Sequence, residues 1–216
     1  VKDLAGKDQP AMHACGHDLH VTGMIGTART LVALKDQWKG TIVFVAQPAE
    51  EIVAGARAML SDGLYTRFPK PDFALALHVW STRPAGQVGV VDGTPYASVS
   101  SVDIVVRGVG GHGSQPQTTR DPIVLAAQIV TALQTIVSRE TKPGTPAVVT
   151  VGTIQGGTKR NIISESVKLE LTLRAFEEKV MSDMIAAIRR ICEGTARAAG
   201  LPEDRLPVVT VTSESD

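Results

Sequence analysis

The pattern of apolar and polar positions divides the chain into two parts. In the first part, Thr41–Ala46 and Phe73–Val79 are unbroken apolar runs, typical of strands buried in a covered sheet. Apolar residues three or four apart predict a helix over 18–35, and a short helix over Ala54–Asp62 ends at Gly63. Because strands alternate with helices in this part, we predict a parallel α/β sheet.

The pattern changes after about residue 93. Apolar and polar residues alternate strictly in several segments, which predicts strands with one buried face. Two long segments with helical spacing separate them. The predicted order is strand, helix, strand, strand, helix, strand, which is the ferredoxin-like βαββαβ arrangement. These segments are a strand around 102–107, a helix over 121–139, strands over 147–154 and 167–174, a helix over 178–199 and a strand over 206–212.

The two patterns predict two domains, over residues 1–93 and 94–216. The second contains a complete set of elements for a small α/β domain. The first is expected to be incomplete, because two or three parallel strands cannot cover both faces of their sheet. The fold class is therefore α/β, an incomplete parallel-sheet domain followed by a ferredoxin-like one.

Composition excludes some classes of function. Apolar residues make up 43% of the chain and charged residues 20%, and 22 basic residues balance 22 acidic ones. With no basic stripe and only 4% aromatic residues, we expect no nucleic-acid partner. We also expect no membrane partner, because no unbroken apolar run approaches the roughly 18 residues that span a bilayer.

Both ends of the sequence are expected to be cut rather than natural. The chain opens on Val1 without a methionine and closes on the polar run over residues 213–216. The compartment stays open for this reason: a cytoplasmic location is favoured, and a secreted or periplasmic one would follow if a leader precedes Val1.

A cluster of metal-binding residue types lies just before the first helix. The segment over 12–20 contains a cysteine, three histidines and an aspartate, which is difficult to explain by core packing. Cys15 and His17 can face one ion because Gly16 permits a tight turn between them, and thiolate and imidazole suit zinc or a similar ion. His13 and His20 are expected to support this site rather than to bind metal. The other cysteine, Cys192, has helical spacing with apolar residues and is predicted to lie in the core.

Two further features follow the predicted buried strands. The segment Gln47–Glu51, which carries Glu50 and Glu51, comes directly after the first run, and His78 lies near the end of the second. Since functional groups of open α/β sheets gather beyond the carboxyl ends of their strands, we expect all three near the Cys/His turn. One carboxylate can bind the metal while its neighbour takes a proton from the attacking water.

These motifs together resemble the amidohydrolases of the M20 metallopeptidase family, in particular the branch of hippurate hydrolases, N-acyl-amino-acid deacylases and auxin-conjugate hydrolases. The resemblance rests first on His-Ala-Cys-Gly-His-Asp over 13–18, Pro-Ala-Glu-Glu over 48–51 and Leu77-His78. It extends into the second part, which resembles that branch's lid and dimerisation domain. The matching segments there are Gly110–Ser114, Asp121-Pro122, Val149–Gly152, Asn161–Ile163 and Leu173-Arg174.

The resemblance implies a role for each candidate residue. Cys15, His17, Glu51 and His78 would bind two divalent ions per subunit, either zinc or manganese, with cobalt or nickel as alternatives. Glu50 would be the general base and later the general acid. His112 would reach the tetrahedral intermediate, commonly from the other subunit of a homodimer formed through the lid. Asn161 and Arg174 would bind the substrate carboxylate or the oxyanion. The implied reaction is hydrolysis of the amide bond of an N-acyl amino acid or a similar small carboxylate-bearing amide.

The chain also departs from the family pattern. The family's last histidine ligand and its aspartate-containing N-terminal strand fall outside the sequence, so we expect the chain alone to be inactive. Ser164 stands where the family has proline after Asn-hydrophobic-Ile, and Gln117 and Gln155 stand where many relatives have histidine.

Two other functions stay open. Cys15 could be the nucleophile of a cysteine hydrolase, activated by a neighbouring histidine. Alternatively, the second domain could be a non-catalytic dimerisation or binding module. The Glu50-Glu51 pair beside Cys15 and His17 favours the metal hydrolase, because a binding module has no use for such a pair.

Overall fold

The computed structural model describes residues 7, 8, 10 and 12–215, without the side chains of 213–215. Val1 and Asp216, which suggested cut ends, lie outside the described residues. The chain forms two compact units, with the boundary between Val90 and Val91.

The first unit is helical where it is regular. Helix α1 spans His17–Ala33, α2 spans Gly55–Ser61 and α3 spans Leu64–Arg67. Short 3₁₀ turns occupy Lys35–Gln37 and Glu50–Ile52. The helices predicted over 18–35 and Ala54–Asp62 are therefore confirmed.

The strands predicted in this unit, and with them the parallel sheet, are wrong for the described residues. Neither Thr41–Ala46 nor Phe73–Val79 pairs with another segment as a strand. Their large apolar side chains are exposed, and Leu75 has a relative exposure of 101%. An apolar run becomes a strand only when it pairs with another strand through its backbone hydrogen bonds, and neither run has such a partner among the strands described. Gly55 is the only buried residue among those described in the first unit.

The second unit is built around a sheet of four long strands. They are β1 (Ser98–Arg107), β3 (Ala147–Gly156), β5 (Ser166–Ala175) and β6 (Val208–Ser215). Their order across the sheet is β3-β5-β1-β6, and all neighbours are antiparallel. A separate two-stranded ladder pairs β2 (Gly111–His112) with β4 (Ile162–Ile163).

Two long helices supply the other half of this unit's core. Helix α4 spans Pro122–Thr135, continues as a π-helical turn over Ile136–Glu140 and begins at Asp121, whose carboxylate accepts a hydrogen bond from the Ile123 backbone N–H. Helix α5 spans Glu178–Ala198. The long elements follow in the predicted order, and every long strand and helix predicted here is present within a few residues.

Alternation along the central strands explains where the core lies. The buried positions of β1 and β5 are every second residue, so each strand turns one apolar face to the helices. The helices bury one side each against that face. The buried side chains include Val102, Ile104, Val106, Leu169, Leu171, Leu173, Leu125, Ile129, Leu133, Met184, Ile188 and, as predicted, Cys192.

One helical run also has the length and composition of a membrane span. Pro122–Glu140 reaches a mean hydropathy of 1.3. The sequence had suggested no such run, because polar residues interrupt this one. Its buried side chains belong to the core of the second unit, so we interpret it as a core helix.

Candidate metal centre

The turn that carries Cys15 and His17 depends on Gly16. This glycine has φ +83°, in the left-handed region that favours glycine, and a Cβ there would lie 2.3 Å from Cγ2 of Val79. Gly16 precedes the first residue of α1, which is His17. The thiol and the imidazole are therefore held at the N-terminal end of α1, with the Val79 segment packed directly against the turn.

Three predicted ligands converge at this turn. The Sγ atom of Cys15, a ring nitrogen of His17 and a carboxylate oxygen of Glu51 all lie within 4.8 Å of one another. His78 approaches from another segment, with Nε2 at 3.4 Å from Sγ of Cys15. Ligands of one tetrahedral zinc ion lie roughly 3.3–3.8 Å apart at bond lengths of about 2.0–2.3 Å, so small adjustments would bring these atoms onto an ion.

The ring of His78 is held in the orientation that metal binding requires. Its Nδ1 lies 2.7 Å from the Val79 carbonyl oxygen, which can only accept, so Nδ1 carries the proton and donates. The lone pair is then on Nε2, the atom that faces Cys15. A backbone carbonyl bound to the far nitrogen is the usual arrangement for a histidine ligand.

His20 lies beside the candidate ligand His78, and its supporting role stays a prediction. Its Nε2 accepts a hydrogen bond of 3.1 Å from the Val79 backbone N–H. Its ring lies edge-on to that of His78, with centroids 4.4 Å apart. Desolvation, with smaller contributions from His78 and His17, lowers the pKa of His20, which favours the neutral ring that can accept this hydrogen bond. His13 is exposed, and its supporting role stays a prediction.

The two glutamates stand on a strained turn. Glu50 Oε2 and Glu51 Oε1 lie 3.4 and 3.5 Å from Nε2 of His17. The residues on either side of their 3₁₀ turn, Ala49 and Val53, have φ values of +52° and +53°. A β-branched residue is a rare occupant of that region, and such strain is concentrated at functional sites.

Gly55 is a structural requirement that the sequence reasoning missed. A Cβ at this position would come 1.6 Å from the carbonyl oxygen of Pro48. Only glycine therefore allows the first residue of α2 to pack against the Pro48 backbone, just before the two glutamates. A glycine four residues after a Glu-Glu pair was the available signal, but many loops contain one.

The electrostatics of Cys15 distinguish two kinds of chemistry. Desolvation and the nearby carboxylates of Glu51 and Glu50 raise the pKa of its thiol. A cysteine nucleophile needs the opposite, since nearby positive charge lowers the pKa of reactive thiols. The negative surroundings suit a cation bound between the thiol and the carboxylates.

In the second unit, the structure brings two of the three predicted residues together. His112 lies in β2 opposite Ile162, and the N–H of Gly113 donates to the carbonyl oxygen of Asn161 at 2.9 Å. His112 also lines an open pocket of about 550 Å³ between this loop and the Ile162–Glu165 segment.

Arg174 does not join them within the second unit. It lies near the far end of β5, opposite Val99. The first residue of β5 follows Glu165. The Glu165 carbonyl oxygen accepts a hydrogen bond from the N–H of Gly108, which lies three residues before β2, so this end of β5 is the one next to His112. Arg174 lies eight residue steps along the strand from Ser166, a distance of about 26 Å. The predicted role of Arg174 stays a prediction.

Comparison with known proteins gives the same family over nearly the whole chain. The model of peptidase family M20/M25/M40 matches residues 3–211. The chain is 39% identical over 197 residues to the N-acetylcysteine deacetylase of Bacillus subtilis, covering 91% of this chain and 51% of that protein. It is 40% identical over 183 residues to the N-acetyldiaminopimelate deacetylase of Priestia megaterium, covering 85% and 48% respectively. The chain thus spans about half the length of the curated relatives it matches.

Solved structures agree. A dinuclear metal-binding peptidase of the M20 family from Bacillus subtilis superposes with a TM-score of 0.68 at 32% identity, over 98% of this chain and 52% of that one. The aminobenzoyl-glutamate utilization protein of Klebsiella pneumoniae gives 0.67 at 26% identity, over 96% and 50%.

Proposed function

Because this chain belongs to peptidase family M20/M25/M40, we propose that it forms part of a metal-dependent amidohydrolase that cleaves the amide bond of N-acyl amino acids. One observation carries the proposal: donor atoms of Cys15, His17 and Glu51 meet within 4.8 Å. Thiolate, imidazole and carboxylate together form a donor set suited to zinc and related divalent ions.

The metal would be held by Cys15, His17, Glu51 and His78. When bound, divalent ions polarise the scissile carbonyl and make water acidic enough to be deprotonated near neutral pH. Residues of this chain then move the proton and hold the reacting groups. A dinuclear relative supports two ions per subunit, and we propose zinc or manganese.

Glu50 is the general base of this proposal. Its carboxylate lies 3.4 Å from the His17 ring, on the same turn as the ligand Glu51. From there it would take the proton of the attacking water and later deliver it to the nitrogen of the leaving amine, so that one group serves as base and then as acid. In this role Glu50 would not bind the metal, unlike Glu51.

The residues of the second unit would recognise the substrate. On the family resemblance, His112 donates a hydrogen bond to the oxyanion of the tetrahedral intermediate, and Asn161 and Arg174 bind the oxyanion or the substrate carboxylate. The pairing of β2 with β4 supports a shared role for His112 and Asn161, because Asn161 directly precedes β4 and its carbonyl oxygen accepts a hydrogen bond from Gly113, the residue after His112. One well-placed donor of this kind contributes about 3–4 kcal/mol to the transition state.

We propose that residues 94–216, which make up nearly all of the second unit, form a ferredoxin-like lid and dimerisation domain, and that residues 1–93 belong to the catalytic domain. The strand order β3-β5-β1-β6, with both helices contributing to one core, supports the first part. A homodimer through the lid would let His112 act on the partner subunit, as the family resemblance implies.

The substrate class rests on the curated relatives. Two of them are named for removing acetyl groups from cysteine and from diaminopimelate, both amino acids with a free carboxylate. We propose a small N-acyl amino acid for this protein on that basis.

Metal removal separates this function from a cysteine hydrolase. Treating the full-length protein with a chelator should abolish hydrolysis of N-acetyl amino acids, and adding back zinc or manganese should restore it. A cysteine nucleophile would keep its activity through chelation. Full activity after proven metal loss would overturn the proposal.

A further inference from the structure

The loop after β2 makes an unusual contact with the ring of His112. Both polar groups of Ser114 approach one ring nitrogen, Nδ1. The Ser114 backbone N–H donates to Nδ1 at 3.2 Å, and the Ser114 hydroxyl oxygen lies 2.7 Å from the same atom. The side chain of His112 is otherwise exposed.

These two contacts determine where the imidazole carries its proton. A backbone N–H can only donate, so Nδ1 must offer its lone pair. In the neutral ring the proton is then on Nε2, and the hydroxyl, which faces the same lone pair, must donate to it as well. Ser114 therefore selects one of the two tautomers of His112.

The backbone of the loop holds Ser114 in this position. The N–H of Gln115 donates to the carbonyl oxygen of His112 at 2.8 Å, which closes a turn over residues 112–115. Next to it, the N–H of Gly113 donates to the Asn161 carbonyl oxygen at 2.9 Å. The turn is thus anchored to the residue that directly precedes β4, and the Ser114 N–H points at the ring.

We propose that Ser114 is a positioning residue that locks His112 in the Nε2–H tautomer, so that Nε2 presents a hydrogen-bond donor to the substrate. The functional part of this inference rests on the proposed amidohydrolase activity. A developing oxyanion needs a donor, whereas the opposite tautomer would present a lone pair from Nε2 and repel it. The backbone N–H disfavours the Nδ1–H tautomer, and the serine hydroxyl adds a second donor to the same lone pair.

Nitrogen NMR of the 216-residue chain tests the lock without any assay of activity. With ¹⁵N-labelled histidine at a pH where the rings are neutral, protonated and bare ring nitrogens resonate far apart, and His112→Gln identifies the His112 signals. We expect a protonated Nε2, a bare Nδ1 and a scalar coupling from the Ser114 amide to Nδ1 across the hydrogen bond. A protonated Nδ1, or no coupling together with mixed tautomers, would overturn the lock.

Two variants distinguish the effect of the Ser114 hydroxyl from a general loss of folding. Ser114→Ala removes the hydroxyl and keeps the backbone N–H. The chemical shift of Nδ1 should change because one of its two hydrogen-bond donors is lost, and the population of the Nδ1–H tautomer should rise. Ser114→Thr keeps a hydroxyl and should resemble the wild type. Unchanged backbone amide signals in β5 would show that each variant is folded. His112 signals that are the same in Ser114→Ala and wild type would contradict a role for the hydroxyl.

Kinetics of the full-length protein tests the consequence. Ser114→Ala should lower kcat by about tenfold, the effect of one modest hydrogen bond, with KM little changed, and Ser114→Thr should recover most of it. Wild-type kcat in Ser114→Ala would overturn the catalytic part. If the wild type hydrolyses no N-acyl amino acid while the NMR result holds, the proposed function fails and the tautomer lock stands.

Discussion

Glu50 and Glu51 are neighbours on one turn, yet removing the charge of each residue is expected to impair a different property of the enzyme. In the full-length protein, Glu51→Gln should lower metal content, because it replaces a charged ligand by a neutral one. Glu50→Gln should leave metal content unchanged and lower kcat by about 10²–10⁴-fold, the usual contribution of a general base. Metal analysis and steady-state kinetics on the same preparations check both results. Equal metal loss in the two variants would show that the roles are assigned wrongly.

A second residue-scale prediction concerns the polar face of the sheet in the second unit. Lys168 lies 2.9 Å from the carboxylate of Asp103 and 2.7 Å from that of Glu170, which face each other across β1 and β5. The hydrogen bond from Lys168, with a second one from Thr153, lowers the pKa of Glu170. A carboxylate with a lowered pKa in the folded state stabilises the fold above its ordinary value of roughly 4.3, and this contribution is lost as pH falls through the folded pKa.

Lys168→Met should therefore lower the Tm at pH 7, where it leaves two carboxylates facing each other. The difference from wild type should shrink as the pH falls below about 4, because protonation removes the repulsion. Thermal unfolding at several pH values measures this. Lys179→Met is the matched control, since its pair with Asp183 is highly exposed on one helix and should matter little. A Tm difference for Lys168→Met that stays constant down to pH 2 would contradict the argument.

Among the elements, those of the second unit were predictable because their signals are local. In β1 and β5, the alternation of apolar and polar residues shows which face of each strand is buried. In α5, the apolar positions show the same for the helix. The strands predicted over Thr41–Ala46 and Phe73–Val79 failed for a physical reason. An apolar run shows a tendency to be buried, but a strand also requires a partner elsewhere in the chain, and the pattern within the run does not say whether one is present.

The distribution of buried residues predicts where the chain is stable. The second unit has a closed apolar core, whereas Gly55 is the only buried residue described in the first. Slow amide exchange in the 216-residue chain should thus be confined to the second unit and be slowest in β1 and β5, with α1 exchanging much faster. Hydrogen exchange read by mass spectrometry gives this pattern directly. Protection of α1 equal to that of β5 would mean that the first unit has a core of its own.

For the whole molecule, the candidate site was easier to predict than the architecture around it. Cys15, His17 and Glu51 could be identified because their residue types suit one chemistry and because Gly16 permits the turn. His78 lies beside Cys15, although its segment does not form the strand that the sequence predicted. The features that the sequence did not reveal are relations between distant backbone groups, such as Gly55 against Pro48 or Val79 between His20 and His78.

The central claim is that Cys15 belongs to a metal centre, and X-ray absorption at the zinc edge tests it most directly. The zinc-loaded full-length protein should show a sulfur scatterer at about 2.3 Å together with nitrogen and oxygen scatterers at about 2.0–2.2 Å. Cys15→Ser should lose the sulfur scatterer, whereas Cys192→Ser, which alters the other cysteine, should keep it. A metal shell without sulfur in the wild type, or an unchanged sulfur scatterer in Cys15→Ser, would contradict the account.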